Sequence, residues 1–157
     1  MKSLLVLTGL LLLLLGDPAA ACFGPKLYLG VPEGEREAAV AALASLYIKE
    51  KTGVETVQVA VLSDQGVAGV RAETLDMVLA AESPADLAML LSVPGGPFLL
   101  SGRRPLDDLQ FTTVSPALKK LGELLTAEFM DRLMARVAGG TPPAAAARQL
   151  MMEQRWI

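Results

Sequence analysis

The chain has 157 residues, of which 52% are hydrophobic, and this length suits one domain with a sizeable core. Its formal net charge of −3 argues against an extensive nucleic-acid surface. The chain has no histidine and one cysteine, so it lacks the commonest general base and the usual ligands of transition metals. We therefore expect a protein that is not an enzyme, with no catalytic residue, metal site or cofactor.

The first 21 residues have the pattern of a secretory signal. A basic residue precedes the uncharged run Leu4–Gly16, which is shorter than the roughly 20 apolar residues of a membrane-spanning helix. The residues that follow fit the cleavage sites of two signal peptidases. Ala19 and Ala21 fit ordinary signal cleavage, and the phrase AAAC resembles the lipobox of bacterial lipoproteins. Both cut before Cys22, which leaves 22–157 as a single domain.

Cys22 is the only cysteine of the chain, so it forms no internal disulfide. A lone cysteine in an exported protein is a reactive thiol or pairs with another molecule, unless lipid caps it. The three small residues before it favour lipid attachment. The protein would then be anchored to a membrane in the cell envelope, facing the periplasm or the cell exterior. The alternative is an ordinary secreted protein with an incidental cysteine.

The folded part begins with a strand–helix–strand pattern. Lys26–Val31 is a short apolar run typical of a strand. Glu35–Lys51 has helical spacing, with acidic residues in its first turn and basic residues in its last, and Gly53 stands where a helix C-cap glycine belongs. Valine then alternates along Val57–Val61, as in a strand. Such a unit normally builds a parallel sheet.

The middle of the chain predicts four further elements. A short helix at Val67–Arg71 leads to a third strand at Asp76–Ala81. The phrase SPAD has the form of a capping box with proline at the first helical position, which predicts a helix over Ser83–Leu91. The phrase PGGP at Pro94–Pro97 breaks the chain before a fourth strand at Phe98–Ser101.

The last third is predicted to be helical. Helices begin at Ser115, Thr126 and Thr141 and end near Leu125, Gly139 and Gln154. Together these elements predict an α/β domain. It would be a single small lobe with a mainly parallel sheet covered by helices and with a helical C-terminal third.

Two blocks of the chain carry a resemblance. The first is Lys26–Glu82, with the phrase ALASLYIKEKTGVETVQV and with Asp76 opening the third strand. The second is Ser115–Ile157, with the phrase LTAEFMDRL. Both resemble the substrate-binding proteins of ABC transporters for glycine betaine, choline and other osmoprotectants, which are type II periplasmic binding proteins. Those proteins have two lobes. The resemblance implies one lobe here, with 94–114 as a short insert in place of the second.

The resemblance also implies where a ligand would bind. The family holds quaternary ammonium groups in an aromatic cage, and its ligand-facing loops follow the first and third strands. Here those loops carry Glu33, Glu35, Glu82 and Ser83, which are the expected ligand-binding residues for a small cationic solute. The alternative is that the glutamates suit a helix N-terminus and that Ser83 only caps a helix.

The aromatic residues are few and give no cluster that suggests a cage. Tyr28, Tyr47 and Phe129 lie in apolar patterns and are expected in the core. A solute site on a single lobe would also be open on one side, unless a homodimer supplied the missing wall.

The expected function is that of an envelope lipoprotein related to these substrate-binding proteins, with weak or lost solute binding. Its partners would be a small cationic solute and the membrane, with an ABC transporter permease, another envelope protein or a second copy as the protein partner. The alternative is a protein-interaction module of the envelope that binds no solute. Residues 94–114 would then be its contact, with an exposed apolar patch near Phe98–Leu100 or Phe111.

Overall fold

The computed structural model describes residues 24–157. The predictions for the signal segment and for lipid at Cys22 lie outside the described residues. Within residues 24–157 no helix is long and apolar enough to cross a membrane. The strands are β1 (Lys26–Pro32), β2 (Glu55–Val61), β3 (Met77–Ala80), β4 (Ala88–Ser92) and β5 (Phe98–Ser101). The helices are α1 (Glu35–Thr52), α2 (Gly66–Arg71), α3 (Arg104–Asp107), α4 (Val114–Leu124), α5 (Ala127–Ala138) and α6 (Pro143–Glu153), with a 3₁₀ turn at Leu109–Phe111.

The five strands form one sheet in the order β2-β1-β3-β5-β4. β1 pairs in parallel with both β2 and β3, whereas β5 runs antiparallel to both β3 and β4. The α/β class is confirmed. The sheet is mixed rather than mainly parallel, because the last two strands form an antiparallel hairpin.

The strand–helix–strand unit is confirmed. α1 ends at Gly53, whose φ of 74° is left-handed and whose N–H donates to the Lys49 carbonyl at 2.9 Å. The three helices of the last third are also confirmed, and the Thr126 hydroxyl caps α5 by accepting from the N–H of Phe129 at 3.1 Å. α4, α5 and α6 all contact α1, which packs on β1 and β2, and α4 also packs directly on β4. Small alanine side chains along α1 permit this close packing on several sides.

The predicted helix at Ser83–Leu91 is wrong. The chain makes a turn there and continues as β4. Asp86 does not cap a helix, because both of its carboxylate oxygens accept from Arg71, at 2.8 and 3.0 Å. Leu91 is buried in the core against α4, and the pairing of β4 with β5 satisfies its backbone. Tertiary contacts therefore override the local capping signal.

The turn between β4 and β5 is tied to the start of α1. Arg36, in the first turn of that helix, donates from Nε to the Gly96 carbonyl at 2.8 Å and from Nη2 to the Pro94 carbonyl. These two bonds hold the hairpin tip against the helix, although the sequence separation is about sixty residues.

Residues 94–114 contribute to the sheet itself. β5 lies between β3 and β4, with Leu99 and Leu100 fully buried on opposite faces. Phe111 is also fully buried, and the guanidinium of Arg104 lies 4.9 Å from its ring centroid. Phe98, Leu99, Leu100 and Phe111 therefore form no exposed apolar patch, because they are buried or packed against the core. Leu106 and Leu109 of the same segment are exposed, Leu109 to 85%.

The two faces of the sheet are covered unequally. The large core cluster lies under α1 and includes Leu27 and Leu29 of β1. The opposite face carries a smaller cluster around Val78, covered by the six-residue helix α2. That helix sits close to the sheet, because a Cβ on Gly66 would lie 2.6 Å from Val78 Cγ2. Tyr28 shares this face and is 44% exposed, so its predicted place in the core is wrong; α2 is too short to cover it.

Asp76 joins three parts of the fold at the amino end of β3. Its Oδ2 accepts from the N–H of Tyr28 at 2.7 Å and from Arg104 Nη1 at 2.9 Å. Its backbone N–H donates to the Tyr28 carbonyl, and its carbonyl accepts from the N–H of Gly102, each at 2.9 Å. The side chain is 7% exposed, so these partners replace water almost completely.

We expect Asp76→Ala to destabilise the domain by about 2–3 kcal/mol, because the N–H of Tyr28 loses its charged acceptor in a buried site. Asp76→Asn retains an acceptor oxygen and should cost about half as much. Urea unfolding of residues 24–157 measures both. Asp131→Ala, on the exposed side of α5, is the control and should change little. Equal losses for Asp76→Ala and Asp131→Ala would contradict this role.

Candidate functional site

A cleft of about 490 Å³ opens at the edge of the sheet where β1, β2 and β3 end. This volume lies in the usual range for small-molecule sites, and the carboxyl ends of parallel strands are where ligands bind in α/β sheets. The loops after the three strands form its walls. The side chains that line it with polar groups are Glu33, Glu37, Ser63, Asp64, Arg71, Glu82 and Ser83.

The charge of this cleft is predominantly negative. Four carboxylates line it, and Arg71 is the one cation among the described residues of the lining. Arg71 is already engaged, because its guanidinium binds the carboxylate of Asp86. This hydrogen-bonded pair lowers the pKa of Asp86 and raises the pKa of Arg71, so both stay charged and largely offset each other at neutral pH. The remaining field attracts cations.

The first wall of the cleft depends on a glycine. Gly34 precedes α1 with φ of 151°, and a Cβ there would lie 2.0 Å from Glu37 Oε2. Only glycine leaves room for the Glu37 carboxylate to fold back over the start of the helix. A carboxylate in the first turn is also stabilised by the helix dipole. The local structure at the start of the helix therefore holds the carboxylate of Glu37 at the cleft. The same carboxylate is available to a bound cation.

The structure brings together three of the four predicted ligand-binding residues. Glu33, Glu82 and Ser83 line the cleft, whereas Glu35 is exposed and lies outside its lining. Positions two apart on a helix point to different sides, so Glu35 and Glu37 do not face the cleft together. Ser83 starts no helix, which removes the alternative that it is a helix cap.

Four polar lining residues were not predicted from the sequence: Glu37, Ser63, Asp64 and Arg71. Glu37 lies in the first turn of α1, and Arg71 is brought to the cleft by α2. Asp64 follows the carboxyl end of β2. A signal for Asp64 was present, because β2 was predicted to run parallel to β1 and its following loop therefore belongs at the same edge. The resemblance directed attention to the loops after the first and third strands alone.

Among the described residues no aromatic ring lines this cleft. Tyr47 and Phe129 are buried as predicted, and the ring of Phe129 stacks on Trp156 with centroids 4.5 Å apart. Tyr28 lies toward the amino end of β1, away from the cleft. Burial raises the pKa of Tyr47, so its hydroxyl stays neutral. These rings serve packing rather than a cage around a quaternary ammonium group.

A second depression, of about 420 Å³, lies at the opposite edge around Asp76 and Arg104. Those two residues bind each other, so their charges are already used by the fold. Within residues 24–157 no group of three or more acidic, cysteine or histidine side chains is arranged to hold a metal ion. The cleft at the carboxyl edge is therefore the stronger candidate.

Comparisons with protein-family models, with curated proteins and with solved structures find no match to this chain.

Proposed function

We propose that this chain is an envelope lipoprotein, related to the substrate-binding proteins of osmoprotectant transporters, that captures a small cationic solute weakly. The observation that carries the proposal is the cleft at the carboxyl edge, with four carboxylates in its lining and with its lining arginine bound by Asp86. The solute would be passed to a transporter permease in the membrane to which lipid on Cys22 anchors the chain.

Weak binding follows from the exposure of the site. Glu33, Asp64 and Glu82 are all exposed to water, and solvent-exposed ion pairs contribute only about 0.2–1 kcal/mol each. Even four such pairs at the upper limit give about 4 kcal/mol, so the dissociation constant is about 1 mM or weaker. The cleft also has one lobe around it and no opposing wall within residues 24–157, so little water is excluded from a bound ligand.

The chemistry of the lining selects among cations. Carboxylates bind best to donors that carry N–H groups, such as ammonium or guanidinium. A quaternary ammonium has no N–H and is held by ring faces, which the described part of this cleft lacks. We therefore expect a protonated amine to bind better than glycine betaine or choline. Such a preference would be a departure from the family that the sequence resembles.

The alternative function, a protein-interaction module, loses Leu99, Leu100 and Phe111 from the contact surface that the sequence suggested, because these side chains are buried. Leu106 and Leu109 of the same segment are exposed, as is Leu62 at the end of β2, which is 63% exposed.

We expect a linear diamine to bind residues 24–157 with millimolar affinity at low salt and to shift the amide resonances of the cleft loops in an NMR titration. Glycine betaine and choline at the same concentrations should give little or no shift. Glu82→Gln and Asp64→Asn should each weaken diamine binding by roughly 1.5- to 5-fold, the effect of one exposed ion pair.

The matched control is Glu73→Gln, which makes the same charge change beside the depression at the opposite edge of the sheet. It should leave the affinity nearly unchanged. If no cation shifts the cleft resonances of a folded domain, solute capture at this cleft is wrong.

We further expect Asp86→Asn to weaken cation binding, although Asp86 is not part of the lining. The change releases Arg71 from its partner and adds an uncompensated positive charge to the cleft. Adding Arg71→Gln should restore the affinity. The effect should shrink as salt rises, because exposed charges are screened. Asp131→Asn is the control, and an Asp86→Asn variant that binds as well as the parent would contradict the electrostatic argument.

For the anchor, we expect a bacterial host to produce the mature protein with a diacylglyceryl group on Cys22, visible in the mass of its N-terminal peptide. Cys22→Ser should release the protein from the membrane fraction. A mature protein that begins at Cys22 with a free thiol and fractionates with soluble proteins would contradict the lipid attachment.

A further inference from the structure

β2 is an edge strand with an open outer side. It has seven residues, pairs with β1 in one continuous register, and contains neither proline nor lysine. Within residues 24–157 no strand pairs with its other side. Natural proteins usually protect such an edge with charges, prolines, bulges or short strands. The other edge strand, β4, has such protection, since it has five residues and a bulge between Met89 and Leu91.

The side chains of β2 are half-exposed or exposed on both faces of the sheet. Val57, Val59 and Val61 lie on the face of α2, where Val59 and Val61 pack only at the margin of the small core cluster. Thr56, Gln58 and Ala60 lie on the other face. There a groove of about 310 Å³ runs between the strand and the helices α1 and α6, and its lining includes Ser45, Leu46 and Ala144.

We propose that this edge binds a second copy of the chain by antiparallel pairing of β2 with β2, centred on Gln58, which joins the two sheets into one of ten strands. In this register Val57 of one copy faces Val59 of the other, and Thr56 faces Ala60. The two faces of the sheet are preserved, because residues of equal parity meet. Pairs of β-branched residues across antiparallel strands stabilise such a contact.

The charges of the strand agree with self-pairing. Glu55 is the charged residue of β2, and it is held at the strand end by Lys49 at 3.0 Å and by Lys26 at 3.8 Å. In the proposed register it faces Val61 of the second copy, so like charges do not meet. Each copy uses the one unprotected edge of its sheet. The assembly therefore closes as a two-fold dimer rather than growing into a filament.

This pairing has a consequence for the cleft. Antiparallel strands place the two clefts at opposite edges of the joined sheet, so neither copy supplies the missing wall for the other. The dimer is thus independent of solute capture, and failure of one proposal leaves the other standing.

Cross-linking tests both the contact and its register. Cys22 is the only cysteine of the chain, so residues 24–157 with Gln58→Cys carry one thiol. In the proposed dimer the two positions 58 face each other with Cα atoms about 4.5–5.5 Å apart, which a disulfide spans. The matched control is Ala60→Cys, whose two thiols would be separated by about 14 Å along the strands and should not join.

Charge variants test the dimer in solution. We expect sedimentation velocity to show a concentration-dependent dimer for residues 24–157, and a monomer for Gln58→Lys, which places two cations at the two-fold axis. Mixing Gln58→Lys with Gln58→Glu should restore a dimer. Ser92→Lys, at an exposed position on the opposite edge strand, should leave dimerisation unchanged. Unfolding curves check that each variant is folded.

A parent domain that is monomeric at every concentration up to its solubility limit would overturn the proposal. So would a dimer that survives Gln58→Lys, or cross-linking that is as efficient at position 60 as at position 58. Binding of this edge to a different protein while the parent stays monomeric would likewise show that a second copy is not its partner.

Discussion

The buried carboxylate of Asp76 is the contact on which the arrangement of the sheet depends. The ladder between β1 and β3 has only two residue pairs, so it provides few backbone hydrogen bonds of its own. Asp76 extends that ladder to Tyr28 and also binds Arg104, which follows β5. One side chain thereby fixes the parallel half of the sheet to its antiparallel half. The segment after β5 is in turn held over the core through Phe111.

Asp76 fixes the strands at the amino edge of the sheet, and the cleft lies at the opposite edge. The loops after β1, β2 and β3 need no buried polar network of their own, because the strands are already fixed below them. Their side chains are therefore mostly exposed and charged. Arg71 and Asp86 are also exposed and charged, and their ion pair ties α2 to the turn before β4 and influences the charge of the cleft.

Much of the fold was predictable because its signals are local. The ends of α1 carry matching charges and a C-cap glycine, and Thr126 begins α5 as its capping role indicates. The predictions failed where contacts between residues distant in the sequence determine the local structure. Ser83 and Asp86 have the spacing of a capping box, but the carboxylate of Asp86 is bound by Arg71. Tyr28 has the pattern of a core residue, but the helix over its face is too short. In the site, the glutamates after β1 and β3 were found, whereas Asp64 required the position of β2 in the sheet.

The central position of α1 has a consequence for how the domain opens. This helix is covered by the sheet on one side and by three helices on the others, and a long run of its residues from Ala39 to Ile48 is largely buried. Its amides can reach water only when the whole core separates, so their hydrogen exchange should report the global free energy of unfolding. The loops after β2 and β3 carry mostly exposed side chains, so their amides should exchange faster than those of α1.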